Sequence, residues 1–256
     1  MQLRGSAIII TGGSGGIGSA TARELVRRGA RVVLAARRPE PLTRLATEFG
    51  SSAHACPTDV RDRAQIDRLV DFSLDRLGRL DGLVNAHGVS RGARVFSDPD
   101  ADMQEIVDTN LLALARTARA VVPTFRERGA GVIVNVGSVA GEFGALGLYS
   151  ATKFGVRGLS DALRRELRRE HIAVVLIEPG FVRTPMTEGI RVPMPGPEVV
   201  ARAIASAIER PRGKIIVPWP YVPLVFLSKV PGLADLTMGR LRGGSRARAA
   251  ASRQQP

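Results

Sequence analysis

Cysteine is all but missing from these 256 residues. Cys56 stands alone, so no disulfide can form within the chain, and that usage fits a reducing compartment. Histidine is nearly as scarce: His54, His87 and His171 are scattered, and with a single cysteine they offer no metal-ligand spacing. No metal is therefore expected. Aromatic residues are only 4% of the chain, too few to interleave with basic side chains as single-strand nucleic-acid platforms do. No apolar run approaches the ~18 residues of a bilayer-spanning helix. The N-terminus, Met1 to Gly5, leads straight into a strand-like segment without an h-region or cleavage site. A cytoplasmic protein is expected.

Lysine is scarce too. Of 37 basic residues only Lys153, Lys214 and Lys229 are lysines, and the net charge is +13. That excess does not describe a nucleic-acid surface. Arg240, Arg242, Arg246, Arg248 and Arg253 sit in a tail with no acid after Asp235, and Arg164, Arg165, Arg168 and Arg169 interleave with Glu166 and Glu170 as on a solvated helix.

What is present is a rhythm of short apolar runs alternating with helical patterns. Ala7–Ile10 reads as a strand buried on both faces. It breaks into Thr11-Gly12-Gly13-Ser14-Gly15-Gly16-Ile17-Gly18, and a helical pattern follows to Gly29. Strand, glycine loop and helix in that order let backbone N–H groups approach a pyrophosphate at a helix N-terminus. The second strand, 31–36, ends in Arg37 and Arg38, where a dinucleotide fold that takes NAD usually places an acid. Guanidinium groups suit a 2′-phosphate instead, so NADP(H) is the expected cofactor and NAD(H) the alternative.

Further strands are predicted at 53–56, 80–85, 132–138, 172–177 and 214–217, with helices over 62–78, 102–128, from Tyr149 onward, and 197–210. Alternating elements with apolar strands imply an α/β fold of the Rossmann type: a doubly wound parallel sheet of about seven strands, covered by helices on both faces. Residues 1–217 are expected to form one domain. Residues 218–256 form an extension that begins with an apolar, aromatic run around Trp219 and Tyr221 and ends in the arginine tail. Its readings are a pocket flap, a subunit contact or a peripheral membrane contact. Pro218, Pro220, Pro223 and Pro231 exclude one long helix, and the composition after Gly243 predicts disorder.

The chemistry is expected between Ser138 and Lys153. Tyr149 and Lys153 are four apart and share one helix face. A phenol titrates near ~10, and a fixed ammonium beside it favours the phenolate.

With these pieces placed, the chain resembles the short-chain dehydrogenase/reductase family from residue 5 to about 217. Thr11, Gly12, Gly16 and Gly18 fit its TGxxxGxG loop. Asp59, followed by Val60, stands where its adenine-contacting acid stands. Asn85 and Gly88 match the outer positions of its NNAG segment, while Ala86 and His87 depart from it; His87 reads as a space-filling residue. Asn110, Ser138, Tyr149 and Lys153 match the catalytic tetrad. Pro179, Gly180 and Thr184, with Val182 between them, match the PGxxxT turn that grips the nicotinamide.

The resemblance implies an alcohol–carbonyl oxidoreductase with an apolar substrate, in a homodimer or homotetramer formed through the helices at 102–128 and 148–170. Ser138 would bond the substrate oxygen, Tyr149 would carry the proton, and Lys153 would hold the ribose and depress the tyrosine pKa. Asn110 would orient a water. A non-catalytic redox sensor is the alternative, and it has no need of Tyr149 beside Lys153. The brief, proline-rich segment after Thr184 predicts an open mouth for bulky substrates.

Overall fold

Three consecutive isoleucines in the first strand need apolar cover on both sides, because successive side chains of a strand point to opposite faces. The computed structural model, which describes residues 1–144 and 146–227, meets that need with one parallel sheet. Its strands are β1 (Ala7–Thr11), β2 (Arg31–Ala36), β3 (Ala53–Pro57), β4 (Gly82–Asn85), β5 (Gly131–Val136), β6 (Ile172–Pro179) and β7 (Lys214–Val217). Their order across the sheet is β3-β2-β1-β4-β5-β6-β7. The helices are α1 (Gly16–Arg27), α2 (Pro39–Phe49), α3 (Arg63–Leu77), α4 (Asp100–Val107), α5 (Ala113–Arg128), α6 (Gly147–Glu166), α7 (Glu198–Glu209) and α8 (Tyr221–Leu227).

Ile8 and Ile10 pack with Leu25, Leu42, Ile204 and Ile208 on one face. Ile9 packs with Leu69, Val121 and Phe125 on the other. Each of these side chains is buried and contributes about 1.5–3 kcal/mol. The Rossmann-type fold expected from the sequence is therefore present.

One feature of this topology positions the site. β1 pairs with β2 on one side and β4 on the other, so the winding reverses at β1. In open α/β sheets ligands bind outside the carboxyl ends of the strands at such a reversal. Thr11 and Asn85 end β1 and β4 there, side by side.

The single helix expected over 102–128 is not continuous. A π-helical stretch, Asp108–Leu112, separates α4 from α5. The cause is visible at Asn110, whose side chain accepts from the Val89 N–H at 2.8 Å and donates to the Val89 carbonyl at 2.9 Å. Such insertions in helices mark functional sites more often than not. Periodicity could not reveal it, because an apolar face survives one wider turn.

The extension begins with α8. Pro223 stands in the first turn of α8, where a missing N–H costs nothing. Residues 228–256, including Lys229, the arginine tail and the disorder expected after Gly243, lie outside the described residues. Among the described residues, no helix is long and apolar enough to cross a membrane.

Candidate active site

The glycine loop forms a cradle because side chains would not fit. A Cβ on Gly12, whose φ is +69°, would lie 2.6 Å from the Ala86 carbonyl oxygen and the His87 nitrogen. A Cβ on Gly16 would meet the Thr184 methyl at 2.7 Å. α1 starts without a side-chain cap and without an acid in its first turn. Its first N–H groups, at Gly16, Ile17 and Gly18, therefore face the cradle with the helix's positive end. Ser14 lies in the same loop. These residues suit a pyrophosphate.

At the end of β2, the structure adds what the sequence did not show. Arg37 reaches Glu105 of α4, Nη1 to Oε1 at 3.1 Å, and Arg91 contacts the same carboxylate closely. Arg61 also reaches Glu105, at 3.3 Å, and grips Asp59, Nη2 to Oδ2 at 2.6 Å. The Arg61 guanidinium holds the Asp59 carboxyl below its usual range. Asp59 thus stands in an ion pair at the end of β3. Arg61 was legible only as a basic residue two positions past a strand-ending aspartate. Arg38 is exposed at the start of α2, and the Val60 side chain is buried.

Asn85 is tied into the core. Its side chain donates to Asn135 Oδ1 at 3.0 Å and accepts from Thr11 Oγ1 at 3.2 Å and Thr117 Oγ1 at 2.9 Å. These bonds lie inside the protein. His87 fills space, as expected, with Nδ1 2.7 Å from Thr11 Oγ1. Burial, with the Lys153 charge adding to it, lowers its pKa to about 3, so the ring is neutral at physiological pH.

The tetrad residues converge. β5 delivers Ser138, and α6 carries Tyr149 and Lys153 one turn apart. The Ser138 hydroxyl faces the phenol and pulls its pKa down, but burial is the larger influence and pushes it up. Lys153 Nζ lies 5.7 Å from the centre of the Tyr149 ring. It donates to the Val136 carbonyl at 3.1 Å, and burial lowers its pKa to about 8. Burial is thus the largest influence on both the phenol and the ammonium. A Cβ on Gly88 would lie 3.3 Å from Asn110 Oδ1 and 3.8 Å from Lys153 Nζ, so Gly88 leaves room where the two side chains meet. The Asn110 amide bonds Val89 and Thr152 Oγ1, the latter at 3.3 Å.

The turn after β6 closes the other side. Gly180 N–H donates to Val217 O, Arg183 N–H to Pro195 O and Thr184 N–H to Thr187 Oγ1. Among the described residues, the N–H of Val182 finds no acceptor in the chain, which leaves it for an amide or carbonyl ligand. Tyr221, from the extension, lays its ring against Gly180, and its hydroxyl accepts from the Phe181 N–H at 3.2 Å. Sequence reasoning missed Tyr221; its proximity to Trp219 and four prolines was the only signal. Beside the turn lies a cleft of about 750 Å³, lined by Thr184, Pro185, Ile190, Val192 and Met194 among others.

The chain is similar to known proteins in sequence and in fold. A family model described as short chain dehydrogenase matches residues 6–194. An uncharacterized oxidoreductase of Staphylococcus haemolyticus is 37% identical over 217 residues, covering 82% of this chain and 94% of the relative. A 3-ketoacyl-(acyl-carrier-protein) reductase of Brucella melitensis, solved with NADH, superposes with a TM-score of 0.79 at 28% identity over 84% of this chain and 97% of its own. A short chain dehydrogenase/reductase of Burkholderia phymatum, solved with NAD, gives 0.84 at 25% identity over 93% and 96%.

Proposed function

This chain belongs to the short-chain dehydrogenase family, and on that premise we propose that it interconverts an alcohol and a carbonyl on a largely apolar substrate. The cradle at Gly12–Gly18, the N–H of Val182 and Lys153 would hold a nicotinamide dinucleotide, which when bound supplies or accepts hydride. Tyr149 carries the reading: its phenol is protonated, faces Ser138 and shares a helix face with a buried ammonium. A neutral phenol is a ready general acid, so Tyr149 gives its proton to a carbonyl oxygen that Ser138 holds by a hydrogen bond. Lys153, one turn away, favours the phenolate that remains once the proton has left.

NADP(H) is the preferred cofactor in this reading, with NAD(H) the alternative. Arg37 and Arg38 end β2 with no carboxylate of their own, and Arg37 would exchange Glu105 for a 2′-phosphate. The apolar substrate is argued from the mouth, where Phe181, Met186, Ile190 and Val192 are exposed. A 3-ketoacyl chain, as in the name of the Brucella relative, has that chemistry. The enzyme is read as a cytoplasmic homodimer or homotetramer that joins through the face bearing the exposed Leu112 and Phe154. The contact of Tyr221 with Gly180 favours a pocket role for the start of the extension over a membrane one.

The test is oxidation of NADPH and NADH with a panel of ketones, including a 3-ketoacyl thioester. Tyr149→Phe should lower kcat by roughly 10²–10⁴-fold while dinucleotide affinity stays within a few-fold. Equal turnover by the variant would sink the proton role. Tight dinucleotide binding with no turnover of any substrate would favour the sensor.

A further inference from the structure

The turn after β6 is held by a residue from beyond the stretch that the family model matches, which ends at residue 194. β6 and β7 finish side by side, Pro179 next to Val217. The chain then bends: the Pro218 carbonyl accepts from the Tyr221 N–H at 3.2 Å, and the Trp219 carbonyl from the Val222 N–H at 2.9 Å. That bend carries Tyr221 back over the end of β6. Val225, one turn further along α8, is buried and anchors the helix on the domain.

Tyr221 makes two contacts there. Its ring covers Gly180, where a Cβ would stand 2.6 Å from the ring's Cζ, closer than packed atoms approach. Gly180 does not have a positive φ, so no left-handed backbone calls for glycine at this position. The ring is what excludes a side chain. The second contact is the Tyr221 hydroxyl, which accepts from the Phe181 N–H at 3.2 Å. The two contacts sort the N–H groups of the turn. Gly180 donates to Val217 O at 2.7 Å, Phe181 to Tyr221, Arg183 to Pro195 O at 2.9 Å and Thr184 to Thr187 Oγ1 at 3.0 Å. Among these residues only Val182, in the middle, keeps an N–H without an acceptor, and its buried side chain holds it in place.

We propose that Tyr221 is a positioning residue for the nicotinamide half of the dinucleotide: by covering Gly180 and taking the Phe181 N–H, it fixes the turn that presents the Val182 N–H to the ligand. The start of the extension is thereby a built part of the cofactor site. Glycine loses more conformational freedom than any other residue when it is ordered. With the ring in place, that ordering is complete before the ligand arrives. Without it, binding has to impose the order, and affinity falls. Fixing one residue's backbone corresponds to about tenfold in affinity. The adenosine half is not affected, because β2 and β3, whose ends would hold it, lie across the sheet from β7. This inference rests on the oxidoreductase reading, which supplies the ligand.

Calorimetry on the full-length chain compares each dinucleotide with the same molecule lacking nicotinamide: NADPH beside 2′-phospho-ADP-ribose, and NADH beside ADP-ribose. Within a pair, the ratio of affinities isolates the nicotinamide half. Tyr221→Ala should lower that ratio about tenfold while the affinity for the truncated ligand stays within about twofold. Tyr221→Phe keeps the ring and should lose only about threefold, from the missing acceptor. An unchanged ratio in Tyr221→Ala overturns the proposal. So does an equal loss for both members of a pair, which is what general damage to the fold produces. Amide exchange, followed by NMR in the ligand-free wild type, needs no variant. The Phe181 N–H should exchange at least about tenfold more slowly than in an unstructured peptide. Unhindered exchange overturns the clamp even if Tyr221→Ala fails to fold. If the wild type binds none of the four ligands, the oxidoreductase reading fails instead, and the exchange rate decides the clamp.

Discussion

Replacing Lys153 with methionine should make the protein more stable and inactive together. Lys153 is buried, and burial alone lowers its pKa from 10.5 to about 8. At about 1.4 kcal/mol per pKa unit, the native state near pH 7 carries a penalty of about 3 kcal/mol for keeping that ammonium out of water. Methionine of similar length removes the penalty. It also removes the hydrogen bond to the Val136 carbonyl, which costs about 1–2 kcal/mol. Lys153→Met is therefore expected to gain about 1–2 kcal/mol at pH 7, a rise in Tm of a few degrees.

The pH dependence is the sharper signature. Between pH 8 and 10.5 the unfolded chain binds the proton that the native chain has released, so wild-type stability recovers as pH rises. By pH 10 the penalty has shrunk to below about 1 kcal/mol, and the variant should be the less stable of the two. Urea unfolding of both proteins at pH 7, 8.5 and 10 would reveal this crossover. A variant less stable at every pH, or a difference that ignores pH, would refute the assignment of Lys153 as a buried ammonium held for function.

Gly16→Val should weaken dinucleotide binding at least about tenfold, since its branched side chain collides with Thr184 beside the loop; calorimetry with NADPH reads this, beside a circular dichroism spectrum that checks the fold. Asn85→Leu should cost about 2–5 kcal/mol in urea unfolding, because it leaves groups on Thr11, Thr117 and Asn135 without their buried partner. A loss below about 1 kcal/mol would mean that these side chains re-pair among themselves.

The parallel sheet was legible in the chain because apolar runs of four to six residues, separated by helical patterns, have few other ways to bury both faces. The glycine loop, Ser138, Tyr149 and Lys153 were legible because each chemistry demands a residue type at a fixed local spacing, and local spacing survives without coordinates. Long-range partners were not legible. Nothing near Asn85 in sequence announces Thr117 or Asn135, and nothing near Arg37 announces Glu105. Folding decided that Asp59 would be taken by Arg61, that Asn110 would spend its amide on Val89, and that Tyr221 would lie on Gly180. It also decided the protonation states. Burial pushes the Tyr149 phenol up and the Lys153 ammonium down, and desolvation is a property of the packed interior rather than of any stretch of chain.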